Sequence, residues 1–174
     1  LARTFEQSIV YLSLVVFPIV FGISTLAHDI IIDIYSIEYA GSIIPLKILL
    51  VGLIFSYLSF PIGAFLNATS RQSTQTTIVG VVMIINIIAN LILIPRYSII
   101  GASISALIGN VVLMVTGYFV VNSVTKIRHL FLLKKITQII ISAYIMSYVV
   151  TIINVELHYI MAIFGGVLTY IAAI

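Results

Sequence analysis

The chain has 174 residues, of which 62% are hydrophobic and only 7% are charged. An ordinary soluble domain is about 25% charged, and a globule of this length buries only about 70% of the surface that its unfolded chain exposes. This composition excludes a water-soluble fold and makes lipid the solvent for much of the molecule. The sequence has no cysteine, which excludes disulfides and cysteine-based metal or thiol sites. A net charge of +3, scattered over loops, does not suggest a nucleic-acid-binding surface.

Long charge-free stretches predict an all-α membrane protein. A bilayer core about 30 Å thick needs about 20 apolar residues of helix. Apolar residues occupy nearly every position of these stretches rather than every second one, which favours helices over the strands of a membrane barrel. We expect about six transmembrane helices, joined mostly by short connections into an up-and-down bundle. The predicted helices cover residues 7–27, 43–66, 73–94, 99–122, 136–154 and 158–174.

The first helix and the connection after it carry two local signals. Pro18 lies inside the first helix, where its missing amide donor predicts a kink. In residues 28–47, Asp29 and Asp33 recur at helical spacing opposite Ile30 and Ile34. That pattern predicts an amphipathic segment lying in the membrane interface.

The second helix is bordered by two cations. Lys47 falls about five residues inside its outer end, so its ammonium either reaches the headgroups or turns inward toward an anionic substrate. Arg71 follows the turn that contains Asn67, and either anchors the chain at the membrane surface or faces the same cavity. Asn67, Lys47 and Arg71 are therefore candidates for a substrate path.

The third and fourth helices contain the polar and small residues of the apolar region. Asn86 and Asn90 are one turn apart, and because buried amides need partners they either join helices or line a cavity. Gly101, Ser105 and Gly109 form a row at spacing four, where a neighbouring helix can approach closely. The adjoining row ends in Asn110, a further candidate. Such a smooth face serves static packing or sliding between helices.

The distribution of cations predicts the orientation of the bundle. If the helices alternate direction, six of the eight Lys and Arg residues fall on one side, which the positive-inside rule makes cytoplasmic. The start of the chain is then cytoplasmic, and the loops with the acids are outside. Because the sequence starts at Leu1 and stops inside an apolar run, we expect 1–174 to be a lobe of a longer chain.

Catalytic and metal-binding patterns were not found in the sequence. It has no Ser/His/Asp set, paired catalytic carboxylates, HExxH, phosphate-binding loop or GxGxxG. His28 and His129 lie in loops without ligand spacing. We therefore expect no enzyme, no cofactor and no metal. None of the five acids falls in a predicted helix, so a buried proton-carrying carboxylate is not expected either.

The order of these features resembles the C-terminal half of Wzx-type polysaccharide flippases, in the multidrug/oligosaccharidyl-lipid/polysaccharide exporter superfamily. The resemblance rests on the Pro18 helix, the stretch IIIDIYSIEYAGS, the Leu66, Asn67, Ala68 turn, and Asn86 and Asn90 followed by LILIPRYSIIGASISA. Ser36 and Ser98 stand where the family commonly has glycine, which gives no support for a positive φ at these turns.

The resemblance implies one six-helix lobe of an alternating-access transporter in the cell membrane, facing an N-terminal lobe of the same chain. The implied substrate is a polyprenyl-diphosphate-linked oligosaccharide or polysaccharide repeat unit, flipped for surface polysaccharide biosynthesis, with coupling to an ion. A small-molecule or multidrug antiporter of the same superfamily is the alternative. A membrane-embedded transferase using Asp29, Asp33 and Glu38 and a non-catalytic scaffold are the remaining alternatives.

Overall fold

The chain folds into long α-helices, and its computed structural model describes residues 1–156 and 165–171. The helices are α1 (Ala2–Tyr35), α2 (Ile43–Ala68), α3 (Gln72–Val124) and α4 (His129–Glu156). A 3-10 helix, Ile37–Ser42, joins α1 to α2, and residues 165–171 are again helical. Within the described residues no strand is present.

Four helical stretches are long and apolar enough to cross a membrane. They are Ala2–Tyr35, Ile37–Ala68, Gln72–Val124 and His129–Ile152. The prediction of an all-α protein with several membrane-spanning helices is therefore confirmed. The six-helix lobe stays a prediction, because residues 157–164 and 172–174 of the expected last helix lie outside the described residues.

Helix α3 is a hairpin of two limbs rather than one rod. Its 53 residues would extend roughly 80 Å if straight, more than twice the thickness of a bilayer core. Ser98 departs from helical geometry, with φ 50° and ψ −126°. Asn86 Nδ2 lies 3.1 Å from the carbonyl oxygen of Ser105, although these residues would be roughly 28 Å apart in a straight helix. We call the limbs α3a (72–97) and α3b (99–124).

The connection between the first two membrane helices differs from the predicted interfacial segment. Helix α1 continues to Tyr35, because the apolar residues after Asp29 extend its helical pattern, and the 3-10 helix then leads directly into α2. The chain reverses at Ser36, whose φ is 85°. Ser36 and Ser98 both have positive φ. Serine at these two turns gave no reason to expect it, so the structure corrects that expectation.

The helices pack in the order α4, α1, α2, α3, with α1 against both α4 and α2, and α2 against α3. One apolar cluster joins the start of α1, the α2–α3 turn and the α3–α4 connection. We call this end of the bundle the basic end, since Arg3, Arg71 and Lys126 lie on those segments. A second cluster, which includes Val20, Leu50 and Met146, fills the bundle toward the other end.

Candidate functional site

The tip of the α3 hairpin is closed by a glycine. Pro95 cannot donate a backbone hydrogen bond to the preceding turn, and Ser98 turns the chain. Gly101 then packs directly on α3a: a Cβ at this position would lie 2.2 Å from the carbonyl oxygen of Leu93. Only glycine fits here without moving backbone.

The rest of the hairpin is joined by a short chain of amides. Asn90 donates through Nδ2 to Oδ1 of Asn86 at 2.7 Å, and Asn86 donates through Nδ2 to the carbonyl of Ser105 at 3.1 Å. Gly109 lies beside the same amide, since its Cβ would be 2.7 Å from Asn86 Nδ2. The structure thus brings Asn86 and Asn90 onto the row Gly101, Ser105, Gly109, all three of which are buried. In this conformation, Asn86 bridges the two limbs.

Asn110 faces the opposite way, toward α2. A Cβ on Gly52 would lie 3.3 Å from Asn110 Nδ2, and Gly52 is buried. Farther along α2, Gly63 approaches α3a, where a Cβ would lie 2.7 Å from Gln75 Nε2. Close approach of α2 to both limbs therefore depends on glycines on α2.

A polar groove runs between α2 and the hairpin near the basic end. Its volume is about 480 Å³. Four polar side chains line it: Ser56, Ser59 and Asn67 of α2, and Gln75 of α3a. Asn67 is exposed and the other three are partly buried. These hydroxyl and amide groups are set in a mostly apolar lining, and the Ser59 hydroxyl donates to the carbonyl of Ser56 at 2.6 Å.

The structure does not bring the two predicted cations together. Lys47 lies in the first turns of α2 and Arg71 lies three residues past its end, so roughly 32 Å of helix separates them. Both side chains are exposed. Arg71 lies in the turn between Asn67 and Gln75, two residues that line the polar groove, but does not line it itself, whereas Lys47 is at the other end of the bundle.

Pro18 borders a separate, apolar cavity. Helix α1 continues through Pro18, and the residue lines a space of about 440 Å³ between α1, α4 and residues 165–171. Tyr170 closes one side of this space and donates its hydroxyl to the carbonyl of Leu14 at 2.8 Å. Among the described residues that line it, Tyr170 is the one with a polar side chain that could position a solute.

Glu6, whose carboxylate accepts three hydrogen bonds from Arg128, was not predicted from the sequence as a functional residue. Glu6 is 1% exposed, which corrects the expectation that no carboxylate is buried. Its Oε2 accepts from Nη2 of Arg128 at 2.6 Å and from Nε at 2.9 Å, and its Oε1 accepts from the backbone N–H of Arg128 at 2.8 Å. The side-chain hydrogen bond to Glu6 is the main cause of the raised pKa of Arg128.

Aromatic groups surround this ion pair at the basic end. The guanidinium carbon of Arg128 lies 4.8 Å from the ring centroid of Phe131, within the range of a cation–π contact. Next to it, the Tyr118 hydroxyl and His129 Nδ1 are 2.6 Å apart. We call Glu6, Arg128, Tyr118, His129 and Phe131 the junction, since they tie α1 to α3b and α4.

The described residues contain no group of three or more His, Asp or Glu side chains arranged to hold a metal ion. Asp29 and Asp33, weighed above as acids of a transferase, lie near the end of α1 away from the polar groove. Glu38 is exposed on the 3-10 helix.

No protein-family model, no curated protein and no solved structure matches this chain. The resemblance to Wzx-type flippases is therefore a prediction from the sequence, and the geometry of the membrane bundle is what bears on function.

Proposed function

We propose that the chain is one lobe of a transporter that flips a polyprenyl-diphosphate-linked oligosaccharide or polysaccharide repeat unit across the cell membrane. The observation that carries this proposal is the polar groove in the apolar bundle. Polar side chains inside a membrane are costly and characteristically line a cavity or pathway. Ser56 and Ser59 lie well inside α2, whereas Asn67 and Gln75 lie near the helix ends. In the proposed transporter, this groove faces the partner lobe and admits substrate from the cytoplasmic side.

The chemistry of the groove matches a glycan. Sugar hydroxyls both donate and accept hydrogen bonds, as do the hydroxyls of Ser56 and Ser59 and the amides of Asn67 and Gln75. The diphosphate needs a cation, and Arg71 lies in the turn between the groove residues Asn67 and Gln75. Lys47 lies too far away to bind the same diphosphate, so in this proposal it contacts substrate only when the cavity is open to the other side.

The second candidate is a small-molecule or multidrug antiporter, and Glu6 is the observation that favours it. Carriers of hydrophobic cations need a buried acid, and Glu6 is buried. Its two oxygens already accept three hydrogen bonds from Arg128. An antiporter would have to release this ion pair in each cycle, whereas the polar groove is open as it stands.

The direct experiment is complementation of cells that lack their own lipid-linked-oligosaccharide flippase, with surface glycan as the readout. The full-length parent protein should restore export in a host whose glycan it accepts. Failure despite verified membrane expression, in hosts with several glycan types, would contradict the flippase proposal. A gain in resistance to cationic drugs in those same cells would favour the antiporter.

The groove itself is tested by two matched glutamines. Gln75→Leu removes an amide that lines the groove, whereas Gln72→Leu makes the same change on an exposed residue one turn earlier. We expect the first to reduce export at least several-fold and the second to leave it near the parent level. Substituting Lys47 and Arg71 together should abolish export, and unchanged export would remove both cations from the proposed path.

A further inference from the structure

A second groove, between α1 and α4, has the features of a lipid site. Its volume is about 320 Å³, and it is lined by Val10 and Leu14 of α1 and by a face of α4. The residues on that face are Lys135, Gln138, Ile141, Ser142 and Ile145. This groove is distinct from the polar groove, which lies between α2 and α3.

The lining changes in character along the groove. Lys135, Gln138, Ser142 and Ile145 follow one another at spacings of three, four and three, so they share one face of α4. The cation is at the basic end, the amide follows, and Ile141 and Ile145 line the far part together with Ser142. Lys135 and Ile145 are separated by roughly 15 Å of helix, which is half of a bilayer core about 30 Å thick. The groove is thus as long as one leaflet.

The charge at the head of the groove is not neutralised by the protein. Lys135 is exposed, and among the described residues the two ion pairs are His28–Asp29 and Arg128–Glu6. Glu6, one turn before Val10 on α1, directs its carboxylate to Arg128 instead. Lys134 adds a second exposed cation beside Lys135. A molecule in this groove therefore meets a positive head region and an apolar wall.

We propose that this groove binds one anionic phospholipid, with its phosphate at Lys135 and Gln138 and an acyl chain against Leu14, Ile141 and Ile145. Clusters of basic residues at the end of a membrane helix attract anionic headgroups by about 1 kcal/mol for each cation. The aliphatic wall also contacts one acyl chain of the lipid over the length of one leaflet. The inference rests on the membrane fold and is independent of the transported substrate.

The test is native mass spectrometry of the purified full-length protein, titrated with phosphatidylglycerol or with phosphatidylcholine carrying the same acyl chains. We expect phosphatidylglycerol to bind more tightly. Lys135→Gln should weaken phosphatidylglycerol binding about fivefold, the factor that corresponds to one headgroup contact. Lys134→Gln, which removes the same charge from the adjacent residue outside the groove, should weaken it less than about twofold.

Four results would overturn the proposal. Equal affinity for the two lipids would mean that the groove accepts any chain. Equal losses for Lys134→Gln and Lys135→Gln would mean diffuse attraction without a site. Full competition by soluble glycerol phosphate would mean that the acyl chain contributes nothing. Ile141→Trp, which fills the apolar wall without touching charge, should lower phosphatidylglycerol binding, and unchanged binding would contradict the acyl-chain contact.

Discussion

The α3 hairpin and the junction both hold membrane helices together, but by opposite means. The hairpin uses Gly101, Ser105 and the neutral amides of Asn86 and Asn90, which lie on the two adjacent limbs of one helix pair. The junction uses a fully charged pair whose members are 122 residues apart. The hairpin therefore depends on close packing, so added side-chain volume should disrupt it. The junction depends on charge and hydrogen bonding, so an isosteric neutral side chain should be enough to weaken it.

The largest effect should come from adding one methyl group at the hairpin tip. Gly101→Ala places a Cβ against the Leu93 carbonyl, a backbone atom that cannot turn away. We expect a loss of stability at the upper end of the roughly 1–3 kcal/mol typical of overpacking. Gly80→Ala is the matched control on α3a, since its Cβ would meet nothing within 4 Å. It should be neutral or slightly stabilising, as measured by thermal denaturation in detergent. Equal midpoints for both variants would refute the close contact.

Neutralising the junction should have the next largest effect. Glu6→Gln keeps the size of the side chain but removes the charge that holds the guanidinium and the backbone N–H of Arg128. We expect a lower denaturation midpoint and faster proteolysis in the 125–128 connection, by a smaller margin than for Gly101→Ala because Arg128 is open to solvent. The control is Asp33→Asn, on an exposed residue of the same helix. If both variants behave like the parent, the pair contributes nothing to stability.

The amides of the hairpin should contribute less than its shape. Asn86→Leu removes the bridge between the limbs, whereas Asn90→Leu leaves the Asn86 bond to Ser105 in place. Hydrogen bonds between membrane helices average about 0.6 kcal/mol and reach about 1.7, so we expect about 1 kcal/mol for Asn86→Leu and less for Asn90→Leu. Denaturation midpoints of the two variants give the comparison, and the reverse order would show that Asn86 does not bridge the limbs.

The smallest effect should be a gain at the reversal after α1. Ser36 has φ 85° and ψ 167°, a region that glycine occupies more easily than other residues. Ser36→Gly should therefore raise the denaturation midpoint, by about 1 kcal/mol or less once the greater freedom of glycine in the unfolded chain is counted. Ser123→Gly, in the regular helix α3b, should lower it. A loss for Ser36→Gly would show that this serine is not strained.

The hairpin could be foreseen from sequence because its parts are close along the chain. Pro95, the small-residue row and the two asparagines each have a local signature, and the structure brings them together. The junction could not be foreseen, because nothing in the sequence around Glu6 indicates which residue far along the chain will meet it. Because Glu6 directly precedes a charge-free helix, the sequence suggested an exposed acid in a loop. Its side chain is buried only because distant parts of the chain pack against it. Of the residues that line the polar groove, Asn67 was singled out from the sequence, while Gln75, Ser56 and Ser59 have no distinctive spacing.

If α3 crosses the membrane twice, Ser98 lies on the side of the membrane opposite Arg71 and Lys126. The 174 residues contain no cysteine, so single cysteines at positions 71, 98 and 126 can be labelled with a membrane-impermeant maleimide in sealed vesicles of known orientation. We expect the cysteine at 98 to react from one side of the membrane, and those at 71 and 126 to react from the other. Labelling of all three from the same side would contradict the double crossing of α3, and with it the transporter lobe.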